Sequence, residues 1–288
     1  MKKNHILLLL FIFTTFLKGQ DKKEESKFWN KILIGESMET AEQKESPAQI
    51  QITLPKKDST SWLVNVGVSY DIASSVRNFS KIEIEYHKNT LTDKKQNNFQ
   101  TGYGLTHFFS ENPSTFFLNA DAKYVYDGVD VKNSIASNLL FSYYGDGDDF
   151  KFNTLLNRDK KSFWFLSGFA GTQLQGIIKA KDEAAQGFIV RPLYVLGIQY
   201  NFTNKPGHTS KPIFRLWADY TGRYDLINST SYQEKYTHLF KTGGDIFIAY
   251  WPVKVSVGAS FNYGSDPIKG LRQQQFWLIS LNFSRGRE

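Results

Sequence analysis

The chain contains no cysteine, and that absence removes three possibilities at once: a lipid-modified N-terminal cysteine, a disulfide framework and a thiolate metal site. Methionine is scarce, with two residues against 24 phenylalanines and 15 tyrosines. Long apolar runs are missing as well. A membrane-crossing helix needs roughly 20 consecutive apolar residues, and the one sustained run, residues 6–13, gives way to Thr14-Thr15 and then Lys18. Nor is one sign of charge concentrated anywhere. The 35 basic residues are interspersed with 28 acidic ones, which is not the basic stripe that nucleic-acid binding requires, so nucleic acid is not an expected partner.

What is present begins with a leader. Lys2-Lys3, the apolar run and small Gly19 just before Gln20 have the three-part form of a secretory signal, with cleavage expected before Gln20. The leader holds Lys2, Lys3 and Lys18 and no acid, so its removal lowers the formal charge from +7 to +4.

From about residue 61 onward the side chains alternate with a period of two. Trp62, Val64, Val66, Val68 and Tyr70 fall on one face, opposed by Leu63, Asn65, Gly67, Ser69 and Asp71. Ile82, Ile84 and Tyr86 are opposed by Lys81, Glu83, Glu85 and His87, and Phe116, Leu118, Ala120, Ala122, Tyr124 and Tyr126 by Asn119, Asp121 and Lys123. Tyr194, Leu196, Ile198, Tyr200 and Phe202 oppose Arg191, Gly197, Gln199 and Asn201, and Val253 to Tyr263 repeat the pattern against Lys254, Ser256, Gly258 and Ser260. A strand reads this way when one face meets an apolar medium and the other a polar one. Several runs exceed the five or six residues usual in soluble sheets. The aromatic share is 16%, yet mean hydropathy is −0.40. A strand-built membrane protein has that combination, because lipid-facing residues are diluted by polar lumen residues.

The final strand places Trp277, Ile279, Leu281 and Phe283 on one face. Here the chain resembles the outer-membrane β-barrel superfamily of Gram-negative envelopes, whose last strand alternates and ends on an aromatic read by the insertion machinery; the matching residue is Phe283, although Ser284-Arg285-Gly286-Arg287-Glu288 follow it. The resemblance covers residues 61–283 as periodicity and girdle aromatics. It implies an all-β antiparallel transmembrane barrel, with the outer-membrane bilayer and the β-barrel insertion machinery as partners and no cofactor. About twelve strands are expected if residues 135–175 supply three, with ten or fourteen as the alternatives of the same parity. The organisation expected is a signal peptide at 1–19, a periplasmic extension at 20–60, the barrel at 61–284 and a tail at 285–288. Within the extension, Phe28-Trp29 with Ile32-Leu33-Ile34 suits one or two turns of amphipathic helix, and residues 49–54 alternate like a short strand; either would plug the barrel or dock elsewhere. Counted back from the C-terminus, Trp251-Pro252 becomes a tight periplasmic turn and residues 222–236 an extracellular loop, but the lengths of 87–98 and 110–114 reverse that assignment in the N-terminal half.

The residues expected to face the lumen include Lys81, Glu83, Glu85, Asp121, Lys123, Arg191, Arg215, Asp219 and Lys254. With mixed signs they either pair with one another or set the preference of a pore. Side chains largely fill the interior at this strand number, since wide aqueous channels belong to barrels of about sixteen strands or more. Of five histidines, His5 lies in the leader and His87, His107, His208 and His238 are scattered over apparent loops and strand ends with no metal-type spacing. His208 and Ser210 have the i, i+2 spacing that outer-membrane lipid hydrolases use, but Pro206-Gly207 and Lys211-Pro212 bracket them as a turn. Gly145-Asp146-Gly147-Asp148-Asp149 gathers carboxylates without the spacing of a calcium loop. The functional expectation is a non-catalytic small-solute channel. The alternatives are a structural or assembly component of an envelope complex that binds a periplasmic protein through the N-terminal extension, and a lipid hydrolase.

Overall fold

The computed structural model describes residues 31–38, 48–53, 61–112, 114–146, 151–157, 159–207, 211–231, 235–250 and 253–285. Its strands are β1 (Ile32–Gly35), β2 (Ala48–Thr53), β3 (Ser61–Ser74), β4 (Asn78–Asn89), β5 (Gln96–Phe108), β6 (Ser114–Asp127), β7 (Lys132–Asp146), β8 (Lys151–Phe152), β9 (Leu155–Leu156), β10 (Ser162–Lys179), β11 (Gly187–Thr203), β12 (Pro212–Tyr224), β13 (Ile227–Asn228), β14 (Tyr236–Ala249), β15 (Lys254–Asp266) and β16 (Leu271–Ser284). Twelve of them pair in a closed antiparallel ring: β2 to β7 in sequence, then β10, β11, β12, β14, β15 and β16, which returns to β2. The four shortest strands, β1, β8, β9 and β13, pair onto this wall. Closure gives every wall strand a neighbour on both sides.

Alternation along each strand sorts the side chains. In β6 the exposed Phe116, Tyr124 and Tyr126 alternate with the buried Phe117, Asn119, Asp121, Lys123, Val125 and Asp127. Around the ring the exposed positions are large and apolar, up to Trp277 at 75% and Ile279 at 70% accessible, whereas most buried positions are polar or charged. This is the reverse of a water-soluble protein and suits a barrel whose outer wall meets hydrocarbon. Apart from β2, the wall strands hold 12 to 18 residues. At about 3.3 Å per residue and a tilt near 40°, thirteen residues project about 33 Å along the axis, enough for the ~30 Å hydrocarbon layer.

The twelfth wall strand comes from the segment expected to be a periplasmic extension, so the wall begins before residue 61. Gln49 to Thr53 pair with Asn65 to Ser61 on β3, and Ala48 to Ile50 with Phe283 to Leu281 on β16. β1 occupies the continuation of the same strand: Gly35 faces Gly67, Gln49 faces Asn65, Ile34 bridges Arg285 and Ala48 faces Phe283. On both edges two steps along the neighbour correspond to fourteen along this chain. One wall strand is therefore interrupted by a 12-residue insertion, 36–47. Its described part, Glu36 to Met38, is buried. Ile32, Leu33 and Ile34 are extended, not helical, because β3 supplies a ready ladder; Phe28, Trp29 and the leader lie outside the described residues.

Residues 135–175 give two long strands, not three, joined through the small β8 and β9. With β2 counted and that third strand removed, parity holds: the 90–95 link lies at the end opposite the chain termini, together with 225–235, and the short 109–113 link at the terminal end. Trp251 and Pro252 lie outside the described residues. The continuous apolar run at Leu139-Leu140-Phe141 has a plain cause. Leu139 and Phe141 face outward, while Leu140 turns in to an apolar cluster with Phe117, Phe169 and Leu193.

The link between β15 and β16 folds inward at the loop end. Ile268 packs on Val125 and Ala136, its carbonyl accepts from Asn98 Nδ2 (3.0 Å) and Gln100 Nε2 (3.3 Å), and the Lys269 carbonyl accepts from Gln96 Nε2 (2.7 Å). Gly270, at φ +66°, completes the turn in a left-handed conformation that favours glycine.

Because the chain has no cysteine of its own, the ring closure can be tested directly. Ile50→Cys combined with Leu281→Cys, which are partners across β2 and β16, is expected to oxidise to an intrachain cross-link in the refolded barrel, seen as a mobility shift on non-reducing gels. A folded barrel that never cross-links would place residues 48–53 outside the wall.

Candidate functional site

The inner face of β4 presents Lys81, Glu83, Glu85 and His87 at every second position, and β6 presents Asp121 and Lys123. Between them β5 places Gly102 level with both Glu83 and Lys123. A Cβ there would lie 2.9 Å from Lys123 Cγ, so the glycine lets the lysine lie across the intervening strand to the two glutamates. Lys123 Nζ stands 3.0 Å from Glu83 Oε1 and 3.1 Å from Glu85 Oε1, and Lys81 Nζ is 3.1 Å from Glu83 Oε2. His87 Nε2 is 3.2 Å from Glu85 Oε2, and its Nδ1 is 3.3 Å from Asn65 Oδ1.

The insertion completes this cluster. The Ser37 hydroxyl donates to Glu85 Oε2 at 3.0 Å, the Met38 amide donates to Glu85 Oε1 at 2.7 Å, and Lys81 donates to the Met38 carbonyl. Glu36 pairs with Lys241 of β14 at 2.7 Å, so the insertion ties β4 to the other side of the ring. Ser37 and His87 meet at one carboxylate oxygen, Glu85 Oε2.

Elsewhere the lumen groups form separate pairs. Arg215 Nε and Nη2 hold Asp245 Oδ2 at 3.0 and 2.8 Å, while Trp217 Nε1 and Asn282 Nδ2 donate to the same carboxylate. Arg191 reaches Asp225 at 2.6 Å and Gln175 at 2.7 Å, and Arg223 reaches Asp266 at 3.1 Å. Asp121 accepts from Asn138, which in turn accepts from Gln173. Of the nine residues singled out from sequence, Lys81, Glu83, Glu85 and Lys123 meet in one cluster; Asp121, Arg191 and Arg215 are buried in networks of their own, and Asp219 and Lys254 are half-buried on β12 and β15.

Sequence reasoning missed Glu36, Ser37, Arg223, Asp225, Lys241, Asp245 and Asp266. The alternation of Thr237, Leu239, Lys241 and Asp245 along β14 would have exposed two of them, but Gly243-Gly244 break its visual rhythm. His87 lies near the end of β4, buried on its inner face. His107 meets Phe109 edge-on, and His238 lies among Tyr220, Tyr236 and Tyr263. His208, Ser210 and residues 147–149 lie outside the described residues. Among the described residues no group of three or more histidines and carboxylates is arranged to hold a metal ion.

The described side chains around this cluster are closely packed. Glu83, Glu85, His87, Lys123, Asn119 and Gln100 are all 2% accessible or less. Beside Glu36, Asn65, His87 and Lys241 lies a cavity of about 30 Å³, room for about one water. A pocket of about 460 Å³ opens at the loop end.

No protein-family model and no curated protein matches the chain. Solved structures with a similar chain path include LpxR from Salmonella typhimurium, with 9% identity over 88% of this chain and 97% of that one at a TM-score of 0.43. Another is a chain from work on the mechanism of in-meso crystallization of membrane proteins, with 12% identity over 83% of this chain and 82% of that one at a TM-score of 0.36.

Lys123→Met would leave Glu83 and Glu85 facing each other without their shared cation. Urea titration of the folded barrel is expected to show a loss of about 3–5 kcal/mol, as for breaking a buried ion pair from one side. Adding Glu83→Gln and Glu85→Gln to that variant is expected to recover most of it; a Lys123→Met barrel as stable as the parent would remove the cluster from any structural role.

Proposed function

We propose that this chain is a non-catalytic β-barrel of the bacterial outer membrane whose lumen is closed to solutes, and that it acts as a structural or binding component through its ends. The leader-like N-terminus, the apolar outer wall and the aromatic residues near both strand ends support the location. Support for a closed lumen comes from one observation above the others: opposite charges on the inner wall are consumed by one another at hydrogen-bond distance, with almost no accessible surface left. A conduit would keep such groups wet and available to a passing ion.

The small-solute channel remains the competing reading, and conductance separates the two. Purified barrel reconstituted into planar bilayers is expected to give no unitary current steps. Sustained steps from the unmodified chain, lost in a heat-unfolded control, would replace the closed-barrel proposal with a channel.

A further inference from the structure

The 460 Å³ pocket at the loop end is within the size range of small-molecule sites. Its lining draws on wall strands and on the inward turn, with Lys132 from β7, Arg191 from β11, Asp225 from the link after β12, Thr237 from β14, and Pro267 and Gly270 from the turn. Four cations, Lys94, Lys132, Arg191 and Arg272, line it against three acids, Asp127, Asp130 and Asp225, so the lining carries one positive charge in excess.

A second observation points the same way. Arg223, 4% accessible on β12, is the direct cross-strand partner of the pocket-lining Thr237. Only its Nη2 is engaged, by Asp266; Nε and Nη1 are buried and have no partner, and neither has the Thr237 hydroxyl. Arg191 stands on the adjoining strand, two residues from Leu193, which pairs with Arg223, and it feels the charges of both Arg223 and Asp266. Buried guanidinium N–H groups and hydroxyls are ordinarily met by acceptors. Idle donors beside a cationic pocket match an anionic oxygen group better than a cation or an apolar guest.

We propose that this pocket binds the carboxylate or phosphate group of a small hydrophilic solute, with Thr237 and Arg191 of its lining as donors and the buried charge of Arg223, outside the lining, behind them. The site stands apart from the closed-lumen reading, because an anion can bind at the mouth whether or not the barrel conducts. Titration calorimetry of the full chain, refolded in detergent micelles, tests it with inorganic phosphate, sodium glucuronate and neutral glucose as probes. The expected result is saturable one-to-one binding of phosphate, glucuronate or both, and none of glucose; which anion binds tells phosphate from carboxylate. Arg223→Gln is expected to weaken binding about tenfold or more, and Thr237→Val, which leaves the Arg223–Asp266 pair in place, about three- to tenfold. Heat-modifiable gel mobility checks that each variant is folded, and if Arg223→Gln does not fold, Thr237→Val and Arg191→Gln decide. No saturation up to about 10 mM of either anion, equal binding of glucose, or affinity indifferent to both Thr237→Val and Arg191→Gln would overturn the proposal.

Discussion

Lys123 lies between Glu83 and Glu85 with almost no water in reach, and the rest of the interior obeys the constraint that this contact makes visible. A closed β-wall offers its lumen groups little backbone to bond, because most wall amides and carbonyls are committed to neighbouring strands. Charges inside must therefore find each other, and each unpaired one would cost several kcal/mol. Register does this work. Glu83, Gly102 and Lys123 stand level across three strands, so the lysine passes over a residue without a side chain to reach its partners. Arg215 and Asp245 are likewise directly opposed on β12 and β14.

The interrupted first strand follows from the same constraint. The described start of the insertion, Glu36 to Met38, is buried and brings polar groups that the lumen needs. Ser37 and the Met38 amide supply donors to Glu85, and Glu36 gives Lys241 its carboxylate. At the loop end the turn 267–270 does the equivalent: its carbonyls receive the amides of Gln96, Asn98 and Gln100 while Ile268 caps an apolar spot. The outer face has the opposite problem and a simpler answer. It presents Val, Ile, Leu and aromatic rings, and near the loop end the hydroxyls of Tyr220 and Tyr194 hydrogen-bond that of Tyr236, a polar tip on an apolar body suited to a membrane interface.

Much of this was legible in the sequence, and the places where legibility failed share a physical cause. β4, β6, β11 and β15 declare themselves because apolar and polar media lie on opposite faces, so a period of two survives even where individual residues are atypical. β2 was legible as a short alternating strand, but its place in the wall was not, because its partner β16 lies at the far end of the chain and closure of a ring is a non-local fact. The extra strand expected in residues 135–175 arose from apolar runs that alternation cannot parse when the lumen itself has an apolar patch, as at Leu140 and Phe169. The polar identities of Lys81, Glu83, Glu85 and Lys123 were readable, but which acid meets which base depends on inter-strand register, and no local pattern encodes that.

Water access to the inner wall tests the central claim most directly. Gln100→Cys places a lone thiol on β5 at a position with no accessible surface, in a protein otherwise free of cysteine. In reconstituted vesicles its modification by a charged methanethiosulfonate reagent is expected to be as slow as that of a thiol buried in a protein core, and to become fast only after unfolding. Rapid modification of the folded barrel would mean a wet lumen, and the account of an interior closed by its own ion pairs would be wrong.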